Sequence, residues 1–372
     1  MAGQAPAFFR AARIERRARK ISDPVERLRY LRQATAAHPG RRRHFRWKWM
    51  ASLILGTALL PLGSDATHGV PRSPGPPVIA ARPGVADGPN VWPVEQTKEY
   101  EVYSNGLRVE NNLAVANEPR SYSLIVRGPE MQLGPQRDQP AGIVFHTTES
   151  DQAPFEPGQK RALARIGKEL LLYVRRNRSY HFVIDRFGRV HRIVAESDTA
   201  NHAGHSVWAD AHWLYVDLNE SFLGVAFEAQ MQPDRPPINE AQLHAGKVLT
   251  DMLRSKYRLP RENCVTHAQV SVNPDNMRIG LHTDWGSGFP YREFGLPDNY
   301  AIPHPSLCLF GFGYDPAYLK STGSDLWKGL VSAEEQVRES SAEQGLTVAE
   351  YRKVLQQRFR GALEAVRRRG SV

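Results

Sequence analysis

The chain has 372 residues, 41% of them apolar, with 27 prolines, 29 glycines and a formal charge of +10. That is enough for one large domain with extensions or for two average ones, joined by long irregular connections. Residues 1–48 hold 14 Lys/Arg against 3 Asp/Glu, whereas the remaining 324 hold 35 against 36, so the basicity belongs to an N-terminal arm, and a near-neutral body without a concentrated basic face excludes a nucleic-acid-binding domain.

The arm ends in RRRHFRWKWM and runs straight into ASLILGTALLPLG, with no formal charge from Trp49 to Gly63. This run is shorter than the ~20 residues a helix needs to span a bilayer and suits the apolar region of an export signal. Arg42-Arg43-His44-Phe45 resembles a twin-arginine signal. An uncleaved anchor with the basic arm on the cytoplasmic side is the competing reading, with membrane association through residues 49–63; Pro61 favours cleavage, and a buried helix of a soluble domain is the third reading. Either export reading places the rest of the chain in the periplasm or cell envelope.

Residues 64–95 are rich in Pro, Gly and Ala and read as an extended linker. Residues 96–140 read as a β-rich lead-in, with strand-like runs in YEVYSNGLRVENN and SYSLIVRG around Asn-Gly turn chemistry. From residue 141 strands and helices alternate. AGIVFH is a short apolar run of the kind buried on both faces of a sheet. Leu163, Ile166, Leu170 and Val174 define an amphipathic helix over 157–178. SYHFVIDRFGRVHRIV predicts a hairpin turning at Asp-Arg-Phe-Gly, FLGVAFEAQ a further strand, and NEAQLHAGKVLTDMLRSKY a helix capped by an asparagine. The pattern predicts an α/β fold, a central mixed β-sheet flanked by helices, over residues 141–315. Residues 316–372 read as two helices broken near Gly345. Their apolar stripe of Val348, Tyr351, Leu355, Phe359 and Leu363 is expected to pack on the domain. Cys264 and Cys308 are the only cysteines and are taken as buried thiols.

Metal-assisted hydrolysis needs three protein ligands and an open fourth position. His146 closes the AGIVFH strand, where a lone buried imidazole needs a partner, and His267 follows the short run NCVT. Each alone reads as a core histidine; with Asp284, in this order along an α/β pattern, they read as ligands.

The ordered segments GIVFHTTES, SYHFVIDRFGRVHRIV, NHAGHS, FLGVAFEAQ, VTHAQV and LHTDWGSGFP, spanning roughly residues 140–292, resemble the type 2 N-acetylmuramoyl-L-alanine amidases. These are zinc enzymes related to peptidoglycan recognition proteins and bacteriophage lysozyme-type amidases. The resemblance implies a Zn2+ site of His146, His267 and Asp284, and a peptidoglycan or muropeptide substrate. It places His282 where the family carries a lysine thought to stabilise the oxyanion, a task an imidazole donor can perform. In an extended segment His282 and Asp284 would face the same side. The glutamate some relatives carry after Gly-Ile is replaced by Ala226 in Gly224-Val225-Ala226. Tyr180 is therefore expected to orient or deprotonate the water, with Glu228 on the same strand face as the reserve. His202 matches a groove-lining histidine of the relatives, and Thr147 is a further candidate substrate contact. His267 and Asp284 are 17 residues apart, more than is usual in the family, and the extra SVNPDNMRI is expected to form a lid or wall. The implied reaction is hydrolysis of the amide between the muramoyl lactyl group and L-alanine. A non-catalytic peptidoglycan-binding module and a zinc peptidase acting within the stem peptide are the alternatives.

Overall fold

Two apolar runs, GIVFHT at Gly142–Thr147 and FLGVAF at Phe222–Phe227, are buried at every position and pair in parallel at the centre of the main sheet. Water reaches neither face, so neither strand shows the alternation of a half-exposed sheet. The computed structural model describes residues 89–370 apart from 129–130, 233–236 and 315, together with Tyr30. The expectations for residues 1–63, and for 64–88 of the linker, lie outside the described residues.

In chain order the strands are β1 (Pro93–Gln96), β2 (Tyr100–Tyr103), β3 (Arg108–Glu110), β4 (Tyr122–Val126), β5 (Leu133–Arg137), β6 (Gly142–Thr147) and β7 (Phe182–Ile184). They continue as β8 (Val190–Arg192), β9 (Val207–Ala209), β10 (Trp213–Val216), β11 (Phe222–Phe227), β12 (Cys264–Thr266), β13 (Val272–Asn273) and β14 (Arg278–Ile279). The main sheet runs β1-β2-β3-β8-β7-β11-β6-β12, and a second sheet runs β5-β4-β10-β9. β7, β11, β6 and β12 are mutually parallel, while β8 returns antiparallel to β7 as the expected hairpin. The central mixed sheet of an α/β fold is thus observed.

Helices cover both faces. On one, α1 (Lys160–Arg176) sets Leu170, Leu171 and Val174 against Val183, Ile193 and Ala226. On the other, α2 (Glu240–Tyr257) packs Leu249, Met252 and Leu253 into the core of Val225, Phe227 and Phe294. A capping box starts α2: Gln242 N–H donates to the Asn239 side chain and Gln242 reaches back to the Asn239 backbone, satisfying donors that would otherwise be orphaned.

Residues 96–140 are rich in strands: β2 and β3 extend the main sheet through β8, while β4 and β5 form the second sheet with β9 and β10. The segment SVNPDNMRI is ordered by its own pairing. It folds as the hairpin β13–β14, with Val272, Met277 and Ile279 buried. Its backbone is bonded to the segment before the C-terminal helices, Ile279 N–H to Gly313 O at 2.9 Å and Gly313 N–H to Met277 O at 2.8 Å. The hairpin is thus fixed at its base.

Helices α3 (Pro316–Glu343) and α4 (Val348–Gly370) complete the chain, separated by Gly345 at φ +67°. Tyr351, Leu355, Phe359 and Leu363 are buried, and α4 packs on β4 and β5. Cys264 and Cys308 are free thiols whose ionisation burial opposes, pushing them up to about 12 and about 11 respectively.

Gly280 shows how closely the hairpin meets α3. Its φ is +83°, and a Cβ there would lie 2.1 Å from Tyr318 Cδ2. Left-handed backbone costs a residue with a Cβ roughly 1–2 kcal/mol, and forced overpacking a further 1–3. Gly280→Ala is accordingly expected to lower stability by about 2–5 kcal/mol, read as a lower denaturant midpoint at unchanged m-value.

Candidate metal centre

Parallel strands end along a common edge, so β6, β7, β11 and β12 deliver their C-terminal residues to one rim. His146 is the penultimate residue of β6, beside Ala226 of β11. His267 follows β12 directly and opens a one-turn helix, His267–Val270, whose start is fixed by a capping box between Thr266 and Gln269. Asp284 sits in a turn closed by Gly286 N–H on Thr283 O. The next residue, Trp285, is fully buried against Phe227 and Phe289, with ring centroids 5.8 Å and 5.1 Å away. That anchor holds the turn so that Asp284 faces the histidines.

The structure brings the three expected ligands together. Asp284 Oδ1 lies 2.9 Å from His267 Nδ1 and Oδ2 lies 3.3 Å from His146 Nδ1. One donor atom from each of the three falls within 4.8 Å of the others. Donors ~2.0–2.1 Å from a tetrahedral zinc are roughly 3.3 Å apart, so this spacing needs only small adjustment. His267 Nε2 is buried without a hydrogen-bond partner, a state that ordinarily costs 1–3 kcal/mol and calls for an explanation.

Burial, and then the neighbouring His267, push the His146 imidazole down to about 4. Burial works to raise the Asp284 carboxyl, but His267 and His146 outweigh it and hold the group well below the usual carboxylate range. At neutral pH the cluster therefore offers a bare imidazole nitrogen and an ionised carboxylate in a buried site. Two imidazoles and one carboxylate are a donor set that suits Zn2+ and leaves a position open.

Around this cluster the other expected site residues divide. The Tyr180 ring lies 5.1 Å from that of His146, its backbone in the left-handed region at φ +64°. Burial, and then the charge of Asp284, raise its phenol above the ordinary value. It is a hydrogen-bond donor through the neutral range, which suits orienting and opposes deprotonating. His282 is exposed and stacks on His267, with centroids 4.6 Å and planes 17° apart. Burial of part of its ring, with His267 next, lowers its pKa. His282 and Asp284 both reach His267, the first stacked on its ring face and the second with Oδ1 at its Nδ1.

Three candidates stand elsewhere. Glu228 lies just past the end of β11, where alternation stops; its carboxylate accepts from Arg186 N–H at 3.1 Å and rests beside Gly167 of α1. Thr147 follows His146 and so faces the opposite side of the strand; buried, its hydroxyl donates to Glu149 Oε1 at 2.5 Å. His202 does not line an open groove: it is 8% exposed and sits behind His146, with His202 Nδ1 3.2 Å from His146 Nε2. Sequence reasoning missed Tyr318 and Tyr300, whose hydroxyls donate to Ala268 O at 3.0 Å and Trp285 O at 2.6 Å. Each bond falls one residue beyond a ligand, and no local motif announces it.

Residues 136–286 match the family model Amidase_2, described as N-acetylmuramoyl-L-alanine amidase. No curated protein matches the chain in a sequence comparison. Among solved structures it is similar to AmpDh3 from Pseudomonas aeruginosa in complex with anhydromuramic pentapeptide, at 22% identity over 52% of this chain and 84% of that one, TM-score 0.34. It is also similar to the amidase AmiD from E. coli, in complex with the substrate anhydro-N-acetylmuramic acid-L-Ala-D-gamma-Glu-L-Lys, at 18% identity over 56% and 96% of the two chains, TM-score 0.33. Drosophila peptidoglycan recognition protein SD shares 18% identity over 42% of this chain and 84% of its own, TM-score 0.26.

Proposed function

We propose that this chain, whose residues 136–286 match the family model described as N-acetylmuramoyl-L-alanine amidase, is a zinc-dependent hydrolase. Its proposed bond is the amide between the muramoyl lactyl group and L-alanine of peptidoglycan. The observation that carries the reading is the convergence of His146, His267 and Asp284 within 4.8 Å at one rim of a parallel sheet. Zinc held by these three residues supplies, when bound, Lewis acidity and a water acidified towards a pKa of ~7. Tyr180, protonated and beside His146, holds a donor towards the reacting oxygen. His282, on the exposed side of His267, presents an imidazole N–H to the carbonyl oxygen as negative charge builds there, replacing the family's lysine with a neutral donor.

The test is digestion of defined muropeptides by the purified full chain, read by mass with and without chelator. Free L-Ala-initiated stem peptides, lost on chelation and restored by zinc, are expected. Fragments cut within the stem would identify a peptidase instead, and binding without any product would identify a recognition module. We also propose that the basic arm and the apolar run Trp49–Gly63 direct the chain to the cell envelope, where such a substrate lies; fractionation of cells expressing the full chain tests this. Among the described residues no helix is long and apolar enough to cross a membrane.

A further inference from the structure

His202 is built into the molecule with unusual care for a residue outside the ligand set. Its ring is buried over Gly224, where a Cβ would lie 2.6 Å from His202 Cγ, so only glycine leaves room for the imidazole. The backbone N–H groups of His202, Ala203 and Gly204 all donate to Asn219 Oδ1, at 2.9, 2.7 and 3.3 Å. One side-chain oxygen thus fixes the loop that presents the ring.

Both ring nitrogens are engaged. Nε2 lies 3.2 Å from Phe222 O and Nδ1 lies 3.2 Å from His146 Nε2. A carbonyl oxygen only accepts, so the hydrogen must be on His202 Nε2. Only one hydrogen fits between two ring nitrogens 3.2 Å apart, and an imidazole that donates from Nε2 accepts at Nδ1. His202 Nδ1 is then a bare acceptor, and the hydrogen between the rings belongs to His146 Nε2. That leaves His146 Nδ1 bare, and Nδ1 is the atom 3.3 Å from Asp284 Oδ2.

We infer that His202 is a positioning residue for the metal centre: the chain from His146 Nε2–H to His202 Nδ1, and from His202 Nε2–H to Phe222 O, locks His146 in the tautomer whose Nδ1 lone pair faces Asp284. The inference deepens the zinc reading and rests on it. In the opposite tautomer a hydrogen occupies the direction a cation must take. Orienting partners of this kind typically alter metal affinity 10–100-fold, and here the partner is itself an imidazole, held in turn by a main-chain carbonyl.

Zinc affinity of the full chain, measured by competition with a chromophoric chelator, tests this together with the visible spectrum of the cobalt(II)-loaded protein. His202→Leu removes the acceptor and is expected to weaken zinc about 10–100-fold and to broaden the cobalt bands. His202→Asn, whose Oδ1 falls near the place of Nδ1, is expected to recover most of that affinity. Equal affinity in His202→Leu and wild type would overturn the inference while leaving the zinc reading standing. So would a loss in His202→Asn as large as in His202→Leu, since the ring would then matter only for packing. Imidazole 15N shifts of metal-free wild-type protein need no variant to fold: they are expected to show His146 and His202 both protonated at Nε2, and His146 protonated at Nδ1 sinks the inference. A wild-type chain that binds no zinc at all would instead remove the metal reading, and this inference with it.

Discussion

Asp284→Asn is expected to strip the chain of zinc and lower amide hydrolysis by on the order of 10^3-fold or more, because water is no longer acidified at the site. The substitution keeps shape and volume and removes only charge, which isolates the electrostatic part. In the wild type one buried carboxylate faces two histidines, 2.9 Å from one and 3.3 Å from the other. A dication in their midst would balance that charge; an amide would not, and its NH2 is a donor pointing where a donor is unwanted. The fold should survive, since the turn is held by Trp285 rather than by the carboxylate. Thermal melts separate the two effects. Zinc at 1,000 times its Kd stabilises a folded protein by ~4 kcal/mol, so the wild type should melt higher with zinc added and Asp284→Asn should not respond. A variant that retains one zinc per chain and full activity would place the chemistry elsewhere.

Much of the centre was legible because its parts are local. The apolar run ending in His146 announces a buried strand, and the short run before His267 announces another; the order of the segments then supplies Asp284. What failed to be legible depended on where a strand stops. Glu228 shares a face with Ala226 only while β11 continues, and β11 ends at Phe227, so its carboxylate turns to Arg186 instead of the histidines. Thr147 illustrates the opposite case: period-two alternation already sets it across the strand from His146, and adjacency in sequence was the misleading cue. His202 carries a family-like motif, but whether its ring meets solvent or His146 depends on the missing Cβ of Gly224 and on Asn219, 17 residues away in the chain. The added length between His267 and Asp284 was visible as an excess; its purpose was not, because its partners lie at Gly313 and Tyr318.

Those partners underlie the second large effect. The full chain cut after Tyr314 is expected to lose its cooperative melt and its zinc together, although the family match ends at residue 286. Tyr318, Leu319, Leu330, Val331, Phe359 and Leu363 are buried in the same continuous core as Phe145, Phe227 and Trp285. Each such side chain contributes about 1.5–3 kcal/mol on burial, an upper estimate since unfolded chains are not fully extended. Six of them together rival the ~5–15 kcal/mol that holds a typical domain folded. The truncation also removes the bond from Tyr318 to Ala268 O and the ring that fills the space over Gly280, so the β13–β14 hairpin and the residue following His267 lose support at the same step. Tyr318→Phe distinguishes support from bulk stability. It keeps the ring over Gly280 and deletes only the hydroxyl, a change worth ~1–3 kcal/mol because a buried carbonyl loses its donor. If α3 positions the ligand loop, this variant should bind zinc more weakly than its modest loss of stability would require. A truncated chain that still melts cooperatively at the wild-type temperature and holds zinc would reduce α3 and α4 to a dispensable addition.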